Sequence, residues 1–368
     1  MVIMNERERF RRIMQFQKVD RVPNYELGLL KGTAERWHRE GLPSGVDWKE
    51  HFGIGDFRHT ADVPNLGMIP PFDPEIIEET ESYTISIGAD GIKAKHLKTN
   101  EEFMPQFLEY PVKNLEDFRD LKRRYDANDP GRYPAPEEWG KKLETWGRRD
   151  HQLRPPARIG AYWILRTWLG TKNLSMAFHR QPRLIHEMMD FLTGFSIEVL
   201  EKAVREVDFD FYNFPEDFAF KGAPLVSPRQ FREFFLPFYR QLTGFLRGHG
   251  IEIFNVDSDG NFDVLIPLLM DGGVTGIWPL EQASGPEMNP VALRKKYGNN
   301  LALMGGIDKR VLARDKKGIE AELTGKLPYL LSTGGYIPFV DHNIPPDIPF
   351  TNFEYYMELK KELLEQYR

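Results

Sequence analysis

The second half of the chain alternates short apolar runs with longer stretches whose apolar residues recur at helical spacing. Such alternation is typical of repeated strand and helix units and predicts a parallel sheet covered by helices. The predicted strands are 209–214, 251–256, 274–280, 301–307 and 334–340. The predicted helices are 183–207, 227–248, 262–271, 289–298, 309–331 and 351–367. Proline interrupts the helical hydrogen-bond ladder, so Pro237 should kink or split the second helix.

The first half contributes fewer elements. The apolar stretches 21–28 and 158–165 predict further strands of the same sheet, and 83–98 alternates about an Asp-Gly turn, which predicts a β-hairpin. Residues from about 75 to 155 are charged and rich in proline and aromatic residues, and we interpret them as an insertion into one domain that spans 1–368. The predicted fold is α/β, a single (β/α)8 TIM-type barrel with N-terminal helical and hairpin insertions.

Composition narrows the class of partner. The net charge of -6 gives no global attraction to nucleic acid or to an anionic membrane. No apolar run approaches the roughly 18 residues of a membrane helix, and the N-terminus lacks the apolar segment of a secretory signal. We therefore expect a cytoplasmic protein that binds small molecules or other proteins, without nucleic acid or membrane.

Two absences remove several kinds of chemistry. The chain has no cysteine, which excludes disulfides, thiolate nucleophiles and cysteine-based zinc sites. Its glycine pairs lack the spacing of a dinucleotide-binding loop, and neither a Walker A motif nor a serine nucleophile elbow occurs. We expect no nucleotide cofactor.

Acidic residues follow the predicted strands of the second half. In a (β/α)8 barrel, the residues after the strands form the C-terminal rim, where the connecting loops build the active site. Five acidic strand ends are more than turn chemistry requires, so this rim is the predicted site. The residues are Glu216, Asp217, Asp257, Asp259, Glu281, Asp308, Asp341 and His342.

Asp257 and Asp259 belong to the sequence DSDGN, and alternate positions of an extended chain face the same side. The structural alternative is an Asx-turn, since Asp, Asn and Gly are common turn residues. An EF-hand loop is excluded because Gly260 takes the fourth position, not the sixth, and Leu268 takes the twelfth. His342 also has two interpretations, either a satisfied loop histidine or a general acid, base or metal ligand.

Four segments together resemble the uroporphyrinogen decarboxylase superfamily. They are RERFRRIMQFQKVDRVPNYELG, PEDFAFKGAPLVSPRQFREFFLPFYRQL, VDSDGN with GIWPLE, and GGYIPFVDHNIPPD. The likeness covers most of the chain in the right order. It implies a (β/α)8 barrel, a possible homodimer, and one of two activities. These are decarboxylation of uroporphyrinogen in porphyrin biosynthesis, or methyl transfer to or from corrinoid-bound cobalt, often with zinc.

The decarboxylase branch has an arginine-rich stretch of the type RQAGRY after the first strand, which grips the carboxylates of the tetrapyrrole substrate. The matching place here reads YELGLLK, with Glu26 where a cation belongs and Lys31 nearby. Repulsion of a polycarboxylate by Glu26 would weaken binding. The closing segment nevertheless resembles that branch and places His342 on its histidine.

Methyltransferases of the superfamily that act on thiols have a strand end of the type HxCGN and a later cysteine as zinc ligands. By resemblance, Asp257 replaces the histidine and Asp259 the cysteine, while Asp341 or His342 lies near the third ligand. Such oxygen ligands suit a harder divalent ion or a looser zinc site. The alternative is no metal, with carboxylates and His342 in proton transfer. The implied metal ligands are Asp257, Asp259, Glu281 and His342.

The leading functional prediction is a methyltransferase that moves a methyl group between a small substrate and a corrinoid held by a partner protein. A methoxy or methylamine-type donor fits an acidic pocket better than a polycarboxylate does. The alternatives are a cofactor-independent decarboxylase of the uroporphyrinogen type and a non-catalytic binding protein on the same barrel. The predicted catalytic residues are Asp257, Asp259 and His342. The predicted substrate-binding residues are Glu26, Glu216, Asp217, Asn261 and Asp341.

Overall fold

A computed structural model of the chain describes residues 4–98, 104–156 and 159–366. The strands are β1 Glu75–Glu79, β2 Tyr83–Ile87, β3 Lys93–Leu97, β4 Gln106–Glu109, β5 Tyr212–Pro215, β6 Phe254–Asp257, β7 Gly276–Trp278, β8 Ala302–Met304 and β9 Tyr336–Ile337. The α-helices are α1 Glu6–Met14, α2 Thr33–Glu40, α3 Trp48–Phe52, α4 Leu115–Lys122, α5 Pro136–Gly147, α6 Ala161–Leu169, α7 Thr171–Arg180, α8 Pro182–Glu206, α9 Pro228–Gln230, α10 Leu236–Arg247, α11 Ile266–Asp271, α12 Pro290–Tyr297, α13 Lys309–Leu312, α14 Lys316–Thr333 and α15 Phe350–Gln366. Short 3-10 helices are Pro130–Arg132, Asp263–Leu265, Gln282–Ser284, Pro286–Met288 and Gly298–Asn300.

The central sheet confirms the predicted parallel α/β organisation. Strands β5 to β9 are parallel and lie side by side in sequence order, and each belongs to one of the five apolar runs. The side chains of these strands are buried because helices cover one face and a second apolar cluster covers the other. Helices occur in all six predicted segments of the second half, although residue 367 lies outside the described residues. The predicted helix 309–331 is divided into α13 and α14, because Asp315 caps the start of α14.

The three extended segments before β5 make isolated backbone contacts instead of regular strands. Tyr25 bridges Gly55, and Thr60 bridges Arg154. Further contacts join Leu153 to Asp210 and Leu29 to Ile344. The prediction of a regular strand at 21–28 was therefore wrong, since this segment makes too few ladder hydrogen bonds. Within the described residues, the regular part of the main sheet is the five-stranded parallel unit.

The predicted strand at 158–165 was also wrong. Residue 158 lies outside the described residues, and the run continues as helix α6. A short apolar run does not by itself distinguish a strand from a buried helix. Here Gly160 lets the chain approach β5 closely, because a Cβ atom at this position would lie 1.6 Å from the carbonyl oxygen of Pro215. This approach places the start of α6 against the carboxylate of Glu216.

The predicted hairpin at 83–98 is confirmed by the antiparallel strands β2 and β3, which pair Tyr83 with Leu97. β1 and β4 flank this hairpin and complete a separate four-stranded antiparallel sheet. The predicted break at Pro237 is confirmed as well. A π-helical turn, Phe231–Phe235, separates α9 from α10, and Pro237 lies in the first turn of α10, where its missing N–H is tolerated.

The apolar core lies on both faces of the parallel sheet. The larger cluster packs the helices against one face, and a smaller cluster fills the opposite, inner face. Helix α1 contributes Phe10 and Met14 to this inner cluster, and the ring centroids of Phe10 and Phe211 are 4.9 Å apart. The acidic residues that follow the strands lie at the other end of the sheet. No helix of the described residues is long and apolar enough to cross a membrane.

Candidate active site at the strand ends

Asp257 is the last residue of β6, and its loop is shaped by Gly260. The φ angle of Gly260 is 87°, and a Cβ atom there would lie 2.7 Å from the backbone of Ala219. Only glycine fits this left-handed turn without strain. The N–H of Gly260 faces Oε2 of Glu281 at 3.4 Å, so the turn brings the loops after β6 and β7 together.

The carboxyl group of Asp257 is partly buried and accepts no hydrogen bond from any of the described residues. Burial raises the pKa of Asp257 well above its usual range, and the charges of Asp217 and Asp259 raise it further. Arg154 and Arg58 oppose this effect. Asp257 is therefore a carboxylic acid that holds a proton more tightly than an ordinary aspartic acid.

Asp259 and His342 lie together on the more exposed side of the site. Nε2 of His342 is 3.8 Å from Oδ2 of Asp259, and their side chains are 36% and 45% exposed. Burial raises the pKa of Asp259, whereas the charge of His342 lowers it. The structure thus brings together these two predicted catalytic residues.

Glu281 takes part in a separate charged pair. Its Oε1 lies 3.4 Å from Nζ of Lys309, and its Oε2 accepts a hydrogen bond from Ser284 at 2.8 Å. Burial alone would raise the pKa of Glu281, but these two partners bring it below the ordinary value. Glu281 is therefore an anion. Lys309 was not among the predicted site residues, although it follows Asp308 directly after a predicted strand end.

Asp217 pairs with a second basic residue that sequence reasoning missed. Nη2 of Arg166, on α6, lies 3.3 Å from Oδ2 of Asp217. The guanidinium group of Arg166 stacks on Trp163, with its carbon 4.4 Å from the ring centroid. The segment that contains Arg166 was predicted as a strand up to residue 165, which gave no reason to place this side chain beside the loop after β5.

Glu216 faces into the protein and caps helix α6. Its carboxylate accepts hydrogen bonds from the N–H of Ala161 at 2.8 Å, from the N–H of Tyr162 at 2.7 Å and from the hydroxyl of Tyr239. Burial raises the pKa of Glu216 to about 7, although these donors lower it. Because the residue is 1% exposed, its surroundings indicate a structural role and leave no access for a substrate.

Asp341 is also enclosed. It accepts hydrogen bonds from the backbone N–H of Gln282 at 2.8 Å and of Lys309 at 3.2 Å, and it is fully buried. Burial raises the pKa of Asp341 to about 6 against the influence of these donors. Asp341 therefore holds the loops after β7 and β8 in place beside its neighbour His342.

Glu26 does not face the mouth of the site, so the predicted repulsion of a polycarboxylate by this residue loses its basis. Glu26 is 1% exposed and lies 2.7 Å from Nζ of the buried Lys360. It also accepts hydrogen bonds from Tyr356 and from the backbone N–H of Val340. Its charge is neutralised inside the protein, where a substrate has no access.

Both polar atoms of the Asn261 side chain form hydrogen bonds within the protein. Its Nδ2 donates to Glu287 at 3.1 Å, and its Oδ1 accepts from the N–H of Asp263 at 3.2 Å. The structure thus separates the five predicted substrate-binding residues. Asp217 lies among the charged groups near Asp257. Glu26, Glu216 and Asp341 are enclosed by donors, and Asn261 is hydrogen-bonded to Asp263 and Glu287.

The predicted metal ligands do not fit a metal ion. Among residues 4–98, 104–156 and 159–366, no group of three or more His, Asp or Glu side chains is arranged to hold one. Glu281 is directed to Lys309 and Ser284, and Asp259 is directed to His342. In this arrangement the four predicted ligands do not form a metal site among the described residues.

Comparisons with known proteins show what the chain is similar to. The curated "Uroporphyrinogen decarboxylase" of Campylobacter jejuni (strain RM1221) is 24% identical over 225 residues, which are 55% of this chain. The chain spans only 58% of the length of that relative. The solved structure of a methyltransferase from Methanosarcina mazei matches 98% of this chain and 99% of its own, with a TM-score of 0.61 and 16% identity. That likeness shows a shared fold.

A family model also matches the chain. The model described as uroporphyrinogen decarboxylase (URO-D) matches residues 157–363. This range contains β5 to β9 and all the strand-end residues described above. Because the match extends over more than half of the sequence, the chain belongs to the uroporphyrinogen decarboxylase family.

Proposed function

We propose that this protein is a methyltransferase that moves a methyl group between a small substrate and a corrinoid carried by another protein. The observation that carries the proposal is the carboxyl group of Asp257, which is partly accessible, lies near Asp217 and Asp259, and accepts no hydrogen bond from the described residues. Such a group can keep its proton for a ligand. The corrinoid is a co-substrate that supplies the nucleophile when bound.

Proton donation is what methyl transfer from oxygen or nitrogen requires. The bond between the methyl carbon and the heteroatom breaks, and its electron pair stays on the heteroatom. A proton from Asp257 neutralises that atom, and its hydrogen bond polarises the atom beforehand. Asp259 and His342 are more exposed and 3.8 Å apart, so they provide a route by which Asp257 regains a proton from solvent.

The charges around Asp257 favour a small substrate over a polycarboxylate. Arg166 is paired with Asp217, and Lys309 is paired with Glu281. These cations are already neutralised, so they are poorly placed to hold the many carboxylates of uroporphyrinogen. The paired state of these cations, and not repulsion by Glu26, is therefore the reason to expect weak binding of a polycarboxylate.

We also propose that the main sheet closes into the (β/α)8 barrel implied by family membership. The support comes from the backbone contacts outside β5 to β9. They connect Leu153 to Asp210, Thr60 to Arg154, and Tyr25 to Gly55, and then return through Leu29 and Ile344 to the segment after β9. Such a closure would give the strand-end residues a common rim.

An anaerobic assay with free reduced cobalamin in place of the corrinoid protein tests the proposed activity. Small methyl ethers and methylamines serve as donors, and the absorbance of methylcobalamin reports transfer. We expect turnover with at least one donor, and we expect Asp257→Asn to lower the rate by about a hundredfold, as loss of a general acid does. The matched control is Asp271→Asn, because Asp271 is 62% exposed and lies outside the site. Wild-type turnover by Asp257→Asn would contradict the proposal.

Decarboxylation of uroporphyrinogen is the second candidate, because the family model and the curated relative carry that name. In that reaction, Asp257 or Asp259 as an anion would stabilise a cationic pyrrole intermediate. Anaerobic incubation with freshly reduced uroporphyrinogen, followed by chromatography of coproporphyrinogen, separates the two candidates. We expect no appreciable product. Turnover comparable to that of a genuine decarboxylase would replace methyl transfer as the proposed activity.

A further inference from the structure

Arg154 offers terminal nitrogens that none of the described residues uses. Its Nε donates a hydrogen bond to Oγ1 of Thr60 at 2.8 Å, and its guanidinium carbon lies 5.8 Å from the ring centroid of Phe211, a residue of the inner cluster. Nη1 is buried without a partner. Neither Nη1 nor Nη2 donates a hydrogen bond to any of the described residues.

Other buried arginines of the protein use their terminal nitrogens fully. Nη1 of Arg132 donates to the carbonyl of Asn65 at 2.9 Å, and Nη2 of Arg294 donates to that of Gly335 at 2.8 Å. A buried donor nitrogen without an acceptor, such as Nη1 of Arg154, is costly, and such groups in native proteins usually have a reason. The open side of Arg154 is therefore suited to an acceptor that comes from outside the chain.

The surroundings of Arg154 indicate the charge of that acceptor. Arg154 and Asp257 interact electrostatically, yet they form no ion pair, so the two side chains do not saturate each other. Arg58 adds a second positive charge near Arg154. A planar guanidinium group with two free terminal nitrogens matches the two oxygens of a carboxylate.

We infer that Arg154 binds a carboxylate of the substrate, and that the substrates are small organic acids carrying the methyl group on oxygen or nitrogen. The carboxylate lies against Nη1 and Nη2, and the methyl-bearing heteroatom extends towards Asp257. The open terminal nitrogens of Arg154 match the two oxygens of one carboxylate, as a small organic acid provides. This inference rests on the proposed function, because it names the substrate class of the same site.

Equilibrium binding measured by calorimetry tests the inference without turnover. The probes are methoxyacetate and methoxypropanoate, each compared with its uncharged amide at constant ionic strength. We expect the wild-type protein to bind the acids at least about tenfold more tightly than the amides, the usual order for a hydrogen bond to a charged group. Arg154→Gln should abolish the preference, and Arg154→Lys should retain part of it because the charge remains without the fork. The matched control is Arg240→Gln, since Arg240 is 59% exposed and outside the site.

A second variant covers the case in which Arg154→Gln fails to fold, as judged by circular dichroism. Thr60→Val removes the contact that orients Arg154 and should weaken acid binding without changing any charge. If acid binding depends on Arg154 but the protein does not methylate cobalamin, the inference is supported and the proposed function is contradicted. If the protein transfers methyl groups from neutral donors and Arg154→Gln does not change the rate, the proposed function stands and the inference is overturned. Equal binding of acids and amides, or no binding of either acid at millimolar concentration, also overturns it.

Discussion

The ends of β5 and β6 both carry acidic residues, and the protein uses them in opposite ways. The N–H of Glu216 donates to the carbonyl of Asp257 at 2.9 Å, so the two residues are neighbours in the sheet. The carboxylate of Glu216 is enclosed by the start of α6 and by Tyr239, whereas that of Asp257 accepts no hydrogen bond from the described residues. Burial raises the pKa of both.

This difference teaches that a raised pKa does not identify a functional carboxyl group. Burial is the largest cause of the raised pKa of both Glu216 and Asp257, whereas, among the described residues, hydrogen-bond donors surround only Glu216. Donors from the protein fix a carboxylate as part of the structure, as they do for Glu216. Their absence leaves Asp257 available to a ligand. Mutations at the two strand ends should therefore have separable effects on stability.

The largest effect on stability is expected for Glu216→Ala. This change leaves the N–H groups of Ala161 and Tyr162 and the hydroxyl of Tyr239 buried without their acceptor. We expect the free energy of unfolding to fall by about 3–5 kcal/mol, measured by urea denaturation. The control Glu252→Ala, at a side chain that is 52% exposed, should cost little. A loss below about 1 kcal/mol for Glu216→Ala would show that α6 does not depend on this carboxylate.

Asp341 supplies an intermediate case that is tested by pH. Its pKa is about 6 in the folded protein, whereas an unfolded aspartate has a pKa of about 4. As pH rises between these values, the unfolded chain releases the proton first, so stability falls by about 3 kcal/mol in total. Asp341→Asn should remove this decline in urea denaturation series from about pH 4 to pH 7.

The matched variant for that series is Asp308→Asn. Burial would raise the pKa of Asp308, but Arg310 brings it below the ordinary value. Its contribution to stability is therefore gained as pH rises and lost as pH falls, opposite in sign to that of Asp341. An unchanged slope for Asp341→Asn would mean that its carboxyl group titrates alike in both states.

A smaller effect is expected where the loop after β7 pairs with Lys309. Lys309→Met removes the partner of Glu281, and both side chains are 22% exposed. Partly exposed pairs contribute little, so the free energy of unfolding should fall by about 0.5 kcal/mol, as measured by urea denaturation. A loss above about 2 kcal/mol would place this pair with the enclosed carboxylates.

The smallest effect on stability is expected for Asp257→Asn. The native carboxyl group accepts no hydrogen bond from the described residues, and its raised pKa shows that ionisation is unfavourable there. An uncharged amide of the same shape should leave the free energy of unfolding unchanged or slightly higher at neutral pH, within about 0.5 kcal/mol. Thermal denaturation of both proteins checks this. A large loss would make Asp257 a structural residue like Glu216.

Much of the second half of the fold could be predicted from the sequence because the signal is local. The apolar runs that form β5 to β9, the hairpin turn and the effect of Pro237 each depend on neighbouring residues. The run 158–165 could not be assigned in this way. Its helical state depends on Glu216, whose carboxylate satisfies the first N–H groups of α6 from about fifty residues away.

The candidate site was predictable to a similar extent. From their positions at strand ends, Asp257, Asp259 and His342 could be predicted to share one site. In the structure, Nε2 of His342 lies 3.8 Å from Oδ2 of Asp259. Position could not show that Glu26 is neutralised by Lys360, which follows it by 334 residues. Strand-end position also gave no reason to select Arg154. Its proposed role depends on terminal nitrogens that have no acceptor among the described residues.

Helix α1 has a consequence for the order in which molecules bind. Its side chains pack on the inner cluster beside Phe211, which precedes β5. We therefore expect the route from solvent to Asp257 to run through the loops where the strands end. A small substrate and a bulky partner protein would then share one opening. The partner, once docked, would block that opening, so the small substrate must enter first and its product must wait for the partner to depart. Steady-state kinetics of the proposed reaction should follow a compulsory order.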